Sequence, residues 1–338
     1  MEHLRWIDQL KHRAAYHLGI DRRTDFYDLA NLEPERRTAQ AEVIQFYSGV
    51  PNIGNYLPVL GIREILERET DLWDAHDSEI DWRFVNQNYS WAIIGGAGLL
   101  HSDFEAFWEQ FAAHCRLPFV IWGVGACFPD TDDTPGVTAS TARPVLEEAA
   151  LVNFRDDITA DHYDFDAAHV SPCPSVVFLE GWEVRKGGRA SPVLYSSHTG
   201  LVEEREQAAL YEVLEASPYT FEYTDNIERR LEGLEAIVDR YAKSSLVVTT
   251  RLHGAIIAYA LRTPYIAVPR DDKVRAFQRL YGNGVLAESM EDVKRLLDGS
   301  PEIEIESVEH AAAHEFGHRV EERMADGKNR PQKIGLSR

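Results

Sequence analysis

The sequence predicts an α/β protein built from two Rossmann-like domains that face each other across a cleft. Three observations carry this. The chain has 338 residues, more than one hydrophobic core usually spans, so two domains are the natural division. Short apolar, β-branched runs alternate with glycine-rich turns and helical periodicity, the pattern of a parallel sheet covered on both faces. A break rich in Gly, Lys, Arg and Pro, "GWEVRKGGRASP" from Gly181 to Pro192, separates two such series. The expected domains are residues 1–185 and 190–325, the first taken as the acceptor side, with residues 326–338 as a mobile polar tail.

In chain order, Leu4, Ile7, Leu10, Ala14 and Leu18 recur near helical spacing and predict an opening amphipathic helix. "AEVIQFYSGVPNIGNYLPVLGIREIL" reads as strand, Gly and Asn turn, helix, and "YSWAIIGGAGLLHSDFEAFWEQFAAHC" repeats that form. "LPFVIWGVGACF" is a strand ending in glycines, and "LVNFRDDITADHY" a short strand and helix. After the break, "VLYSSH" predicts a strand, Leu201 to Ala216 a helix, "YTFEY" a strand, Ile227 to Ala242 a helix, and "SLVVTT" and "PYIAVP" two more strands.

Lys and Arg number 35 against 56 Asp and Glu, a formal charge of -21, which disfavours nucleic acid and anionic membrane as partners. An anionic substrate would need a local cationic pocket. The three cysteines, Cys115, Cys127 and Cys173, are widely spaced with no CxxC pair, which fits a reducing cytoplasm. The charged amino terminus has no apolar core of signal-peptide length, and no run approaches the roughly 18 apolar residues of a membrane span. The expectation is a soluble cytoplasmic protein.

The densest signal is Arg251-Leu252-His253-Gly254, set between the β-branched run ending at Val248 and the small-residue helix that follows. The carboxyl end of a strand and the amino end of a helix is where open α/β sheets bind ligands, and the free N–H groups there suit an anion. A guanidinium adds a two-pronged grip on an oxyanion. The plainer alternative, with Arg251 paired to a surface carboxylate and His253 capping a loop, stands beside it.

"TTRLHGAIIAYALRTPYIAVPRDDK" resembles the C-terminal signature of the polysaccharide pyruvyl transferase family, in which Arg-Leu-His-Gly follows a strand and an Asp-x-Lys pattern, here Asp271, Asp272 and Lys273, follows the next. "PNIGN" looks like the family's Gly-Asn-x-Gly-Asp loop, "IIGGAGLL" like its glycine-rich strand end, "NFRDDIT" like its Arg-Asp-x-x-Ser segment, and "CPS" at Cys173 like a short element of some members. The resemblance runs from about residue 44 to 282. Pro51 replaces the first Gly, Asn55 stands where the family has Asp, and Thr159 replaces Ser.

The resemblance implies a GT-B-like fold and the transfer of pyruvate from phosphoenolpyruvate onto two hydroxyls of a sugar as a cyclic ketal, in surface polysaccharide biosynthesis. It implies that Arg155, Arg251, Leu252 and His253 hold the donor, with Lys273 as a weaker phosphate contact. His253 and Arg251 are the expected catalytic pair, His253 because its pKa suits an acid near neutrality. Asp156 and Asp157 are candidates for the hydroxyl's base by position alone. Asn52, Gly54, Asn55, Gly95, Gly96 and His101 are the expected acceptor or cleft-loop residues. No metal or cofactor is expected beside the donor, and the acceptor is a saccharide, free or lipid-linked. A glycosyltransferase using a nucleotide sugar and a non-catalytic carbohydrate-binding relative are the alternatives.

Two further motifs are set aside. "HEFGH", His314 to His318, matches HExxH, yet nothing after it supplies a third zinc ligand at the usual spacing. "GGAG" and "GVGACF" lack the full GxGxxG of a dinucleotide site.

Overall fold

The computed structural model describes residue 24 and residues 26–128, 136–182, 191–198, 200–229, 232–282, 284–299 and 303–328. The expected opening helix, most of the interdomain break and the tail beyond Lys328 lie outside the described residues.

The first unit is a six-stranded parallel sheet of β1 (Val43–Tyr47), β2 (Asp71–Asp74), β3 (Trp91–Gly95), β4 (Phe119–Val124), β5 (Leu151–Phe154) and β6 (His169–Val170), in the order β2-β1-β3-β4-β5-β6. Every residue of β1, β3 and β4 is buried, as a sheet covered on both faces requires. The second unit is a five-stranded parallel sheet of β7 (Val193–Ser196), β8 (Phe221–Thr224), β9 (Leu246–Thr249), β10 (Tyr265–Ala267) and β11 (Val285–Leu286), in the order β11-β10-β9-β7-β8. The fold class is therefore the expected one, two parallel α/β sheets.

In each sheet the strand order reverses once, between β1 and β3 and between β7 and β9. Loops leaving such neighbours diverge to opposite faces and open a crevice at the carboxyl ends of the strands. The two units meet at these ends. The helix Ile53–Leu66, which follows β1, and the helix Leu252–Ala260, which follows β9, share one apolar cluster with the short helix Ser175–Glu180 between them, through Ile53, Leu57, Val176, Leu252 and Ile256. Beside it runs a polar seam. Asn52 bridges Ile227, with Ile53 N–H donating to Asn226 O at 2.9 Å and Glu228 N–H to Pro51 O at 2.8 Å.

That seam changes one expected element. The helix expected from Ile227 begins only at Leu234, after Gly233. The backbone of residues 226–228 is spent on the partner loop, and Glu228 turns back to accept Leu234 N–H at 2.7 Å.

The larger departure is the last helix, Ala311–Lys328, which falls within the second expected domain but packs on the first sheet. Phe316, Val320 and Met324 are buried against Val43, Ile62, Trp91 and Trp122, with the Phe316 and Trp122 rings 5.2 Å apart. The 190–325 boundary thus does not hold for this segment. The helix also explains "HEFGH": Phe316 and Gly317 face inward while His318 lies in solvent, and a Cβ on Gly317 would come within 2.1 Å of Ile65. Among the described residues no group of three His, Cys, Asp or Glu is placed to hold a metal.

Candidate functional site

Arg251 occupies the N-cap position of the helix Leu252–Ala260, extended at φ -104°, so its side chain leaves the helix end toward the loop after β7 and its Nε donates to Ser197 O. Threonines fix the two loops together. Arg251 N–H donates to Thr249 Oγ1 at 3.0 Å, Thr249 Oγ1 donates to Ser196 O at 3.1 Å, and His198 N–H donates to Thr250 Oγ1 at 2.7 Å. Gly254 admits this arrangement, since a Cβ there would lie 2.1 Å from Thr249 Oγ1.

His253, in the first turn of that helix, meets the first turn of the helix Ile53–Leu66. A Cβ on Gly54 would stand 2.6 Å from the His253 ring, so the glycine of "PNIGN" is the surface on which the histidine rests. Cys173 Sγ lies 4.0 Å from His253 Nε2 on another side. Burial, with the charges of Arg155, Lys273 and Arg251, pulls the His253 pKa well below its ordinary value. Those three cations come from the carboxyl ends of β5 and β9 and from the helix Asp272–Tyr281. They converge on one imidazole.

Arg155 follows β5, only 5 % exposed, and lies over Gly125, whose added Cβ would be 2.4 Å from Arg155 Nε. Its nearest carboxylate is Asp156, Oδ2 to Nε 3.5 Å, yet both atoms are buried without a hydrogen-bond partner among the described residues. A buried donor and a buried acceptor left unspent are costly, and such pairs gather where a ligand completes them. Asp156 uses its other oxygen to cap the helix Asp157–Tyr163 through Thr159 N–H at 2.9 Å and also accepts from the Thr159 hydroxyl. Burial pushes its pKa up against the opposing charge of Arg155. Thr159 Oγ1 in turn accepts Ala126 N–H at 3.1 Å, so the Thr-for-Ser replacement keeps a hydroxyl in use.

Lys273 is buried in the first turn of its helix, with Nζ 2.7 Å from Asp271 Oδ2 and 3.1 Å from Cys127 Sγ. Burial works against its charge, but Cys127 and Asp271 outweigh it and its pKa is raised. Asp271 caps the helix, accepting Lys273 N–H at 2.9 Å and, from the other unit, Phe128 N–H at 3.1 Å. Phe128 O accepts Asp272 N–H at 2.9 Å, so the loop after β4 is stitched to this helix start.

A family model for polysaccharide pyruvyl transferases matches residues 52–272, well over half of the chain and spanning every residue of this cluster but Lys273. The chain belongs to the polysaccharide pyruvyl transferase family. A search of curated proteins finds no match. Among solved structures, S. aureus MnaA, solved with UDP, is similar over 87% of this chain and 99% of its own, at TM-score 0.55 and 12% identity. The UDP-GlcNAc 2-epimerase of Methanocaldococcus jannaschii, in complex with UDP-GlcNAc and UDP, covers 83% of this chain and 99% of its own at TM-score 0.54 and 10% identity. At such identities the likeness speaks for a GT-B-like fold alone.

For this pyruvyl transferase family member, the structure brings Arg155, Arg251, His253, Lys273 and Gly54 together, with Leu252 buried in the interface behind them. Other expected residues stand apart. Asn52 caps its helix, accepting Gly54 N–H at 2.9 Å, and Asn55 Nδ2 donates to Ser48 Oγ at 3.1 Å and to Val50 O, a donation an Asp could not make. Gly95 lies against Gln45 and Ile62, and Gly96, at φ +81°, fits under Pro58. His101 caps a short turn, its Nδ1 accepting Asp103 N–H at 3.3 Å. Asp157 pairs with Arg279 across the units.

Sequence reasoning missed His198, Cys127 and the capping role of Asp271. His198 ends the β7 segment beside the strand-order reversal, and burial with the charges of Arg251 and Lys273 pulls its pKa down to about 3. Its Nδ1 accepts Gly200 N–H at 3.3 Å, which leaves the proton on Nε2 as a donor. Further along the chain, a cavity of about 860 Å³ is lined by Gly200, Glu203, Arg205, Glu206, Arg270 and Ser289, among others, and by none of the cationic cluster. Carboxylates and guanidinia so placed can hydrogen-bond hydroxyls.

Proposed function

We propose that the protein transfers pyruvate from phosphoenolpyruvate to two hydroxyls of a saccharide acceptor, forming a cyclic ketal. One observation carries this reading: Arg155, Arg251 and Lys273, from three separate segments of a chain of net charge -21, converge on His253 at a strand-end crevice. Phosphoenolpyruvate is a small, dense anion that needs such a cradle. Arg155, whose Nε is unspent, and Arg251 grip carboxylate and phosphate, and Lys273 adds a point charge.

In the net reaction the donor's methylene carbon gains a proton to become methyl, its second carbon forms two bonds to acceptor oxygens, and the bond to the phosphate oxygen breaks. The two hydroxyls release two protons, which balance the one taken by carbon and one taken by the departing phosphate. His253 delivers the carbon's proton. It is neutral in the free protein because burial, and then the surrounding cations, oppose its charge; a bound polyanion offsets the cationic part of that opposition and favours the protonated acid. Asp156, buried with one oxygen unspent, is the base that takes an acceptor hydroxyl's proton.

Titration calorimetry of the intact protein with phosphoenolpyruvate, alongside Arg251→Ala and His253→Ala, tests this. Donor binding that Arg251→Ala abolishes and His253→Ala largely keeps is the expected result. No heat at millimolar donor, with or without saccharide, would overturn it in favour of a nucleotide-sugar donor.

A further inference from the structure

Cys127 has no part in the transfer just described, yet its sulfur lies against Lys273, one of the cluster's cations. It is partly exposed, while Lys273, whose Nζ reaches its Sγ at 3.1 Å, is buried behind it. The cysteine follows β4 and the lysine opens a helix of the other unit, so the contact forms only where the two units meet. A second observation is independent of that pair. Arg155, 5 % exposed, closes over Gly125 two residues before the cysteine, and its buried Nε has no hydrogen-bond partner among the described residues. An approaching anion would thus meet a donor that is waiting for an acceptor, an ammonium, and a sulfur. The other two cysteines lack this setting. Cys173 is buried, and burial pushes the Cys115 thiol up to about 11.

We propose that Cys127 is a site of covalent modification by small carboxylates that carry an electrophilic carbon, with Arg155 and Lys273 holding the carboxylate while the sulfur attacks. With an α-halo acid, the sulfur's electron pair forms the S–C bond as the carbon–halogen bond breaks. Halide leaves with that bond's electrons, and the thiol proton passes to water. The product places a tethered carboxylate against both cations and fills the anion cradle. Only the sulfur and its cationic neighbours are invoked, so this inference stands apart from the donor's identity.

The test is a short pulse of iodoacetate, or of neutral iodoacetamide, on the full chain, with labelling at each cysteine read by peptide mass spectrometry. Cys127 should be carboxymethylated faster than Cys115 and Cys173. The ratio of its iodoacetate rate to its iodoacetamide rate should exceed that of free cysteine in the same buffer by about tenfold, the low end of what a focused cationic field supplies. Added potassium chloride should shrink that excess in the unaltered protein, and Lys273→Gln should shrink it at low salt. A ratio at Cys127 equal to that of free cysteine, or Cys127 labelling no faster than Cys115, overturns the proposal. A chain that gives no heat with phosphoenolpyruvate can still show the selectivity, so the two readings fail separately.

Discussion

His253 and His198 are both held neutral by burial and by the cations beside them, and each makes a prediction of its own. For His253 the depressing charges are those the donor would neutralise, so binding should draw a proton onto the ring. Calorimetry at pH 7 in two buffers of different ionisation enthalpy should show net proton uptake with the intact protein and less with His253→Ala. Turnover by that variant should fall about 10²- to 10⁴-fold, the usual worth of a positioned acid. For His198 the folded value near 3 lies below the ordinary 6.5, so between these values the unfolded chain binds the extra proton. Its contribution is present above pH 6.5 and is lost as pH falls toward 3. His198→Gln should flatten the loss of stability on acidification through that window in denaturant melts; an unchanged slope would refute the assignment. At this scale Arg251 and His253 were readable because strand, motif and helix adjoin in sequence. His198 was not, since a lone histidine after a strand has no spacing to mark it, and Cys127 gains its lysine only from a segment 146 positions away.

Helix starts do the positioning at the next scale. Those at Asn52, Asp156, Arg251 and Asp271 come together, three of them capped by the side chain of the residue named. Capping fixes where each first turn begins, and hence where Arg155, His253 and Lys273 stand. Asn52→Ala should cost about 1 kcal/mol in chemical denaturation by removing one cap. Gly54→Ala tests the contact between two of these starts. Its Cβ would stand 2.6 Å from the His253 ring, so the ring must turn or the helices must part. Although Ala is the better helix former by about 1 kcal/mol, the overpacking of about 1–3 kcal/mol should win, and donor turnover should drop while Arg251-dependent binding persists. A Gly54→Ala variant with unchanged turnover and raised stability would show that the contact is slack. The sequence disclosed these starts where a strand, a turn and a helix adjoin, as in "PNIGN". It could not disclose that residues 226–228 stay outside the helix, because their apolar and charged spacing suits one and only the bridge to Asn52 decides otherwise.

Across the whole molecule, the two sheets were legible because repeated strand, glycine turn and helix units leave few alternatives to parallel layers. The place of the last helix was not, since a periodic apolar face says that a helix is buried and not against which sheet. Its return to the first unit makes the chain begin and end its described course on the same sheet, with the second sheet held between. Phe316 is the anchor, fully buried, edge-on to Trp122 and stacked on His169 at 5.5 Å. Phe316→Ala should therefore cost about 3–5 kcal/mol, the range for emptying a buried aromatic site. Phe316 packs on Val43, Ile62, Trp91 and Trp122, none of them in the cationic cluster, so phosphoenolpyruvate affinity well below the variant's melting temperature should match that of the unaltered protein. Thermal melts with and without the donor separate the possibilities. If the helix fastens the first sheet alone, the variant shows an early transition that the donor fails to raise. If its return holds both units in register, the transition stays single, shifts down, and recovers with donor, because a ligand bound by residues of both units stabilises their contact by mass action. The shared apolar cluster of Ile53, Val176 and Leu252 favours the second outcome, since neither unit can unfold without exposing part of the other's core.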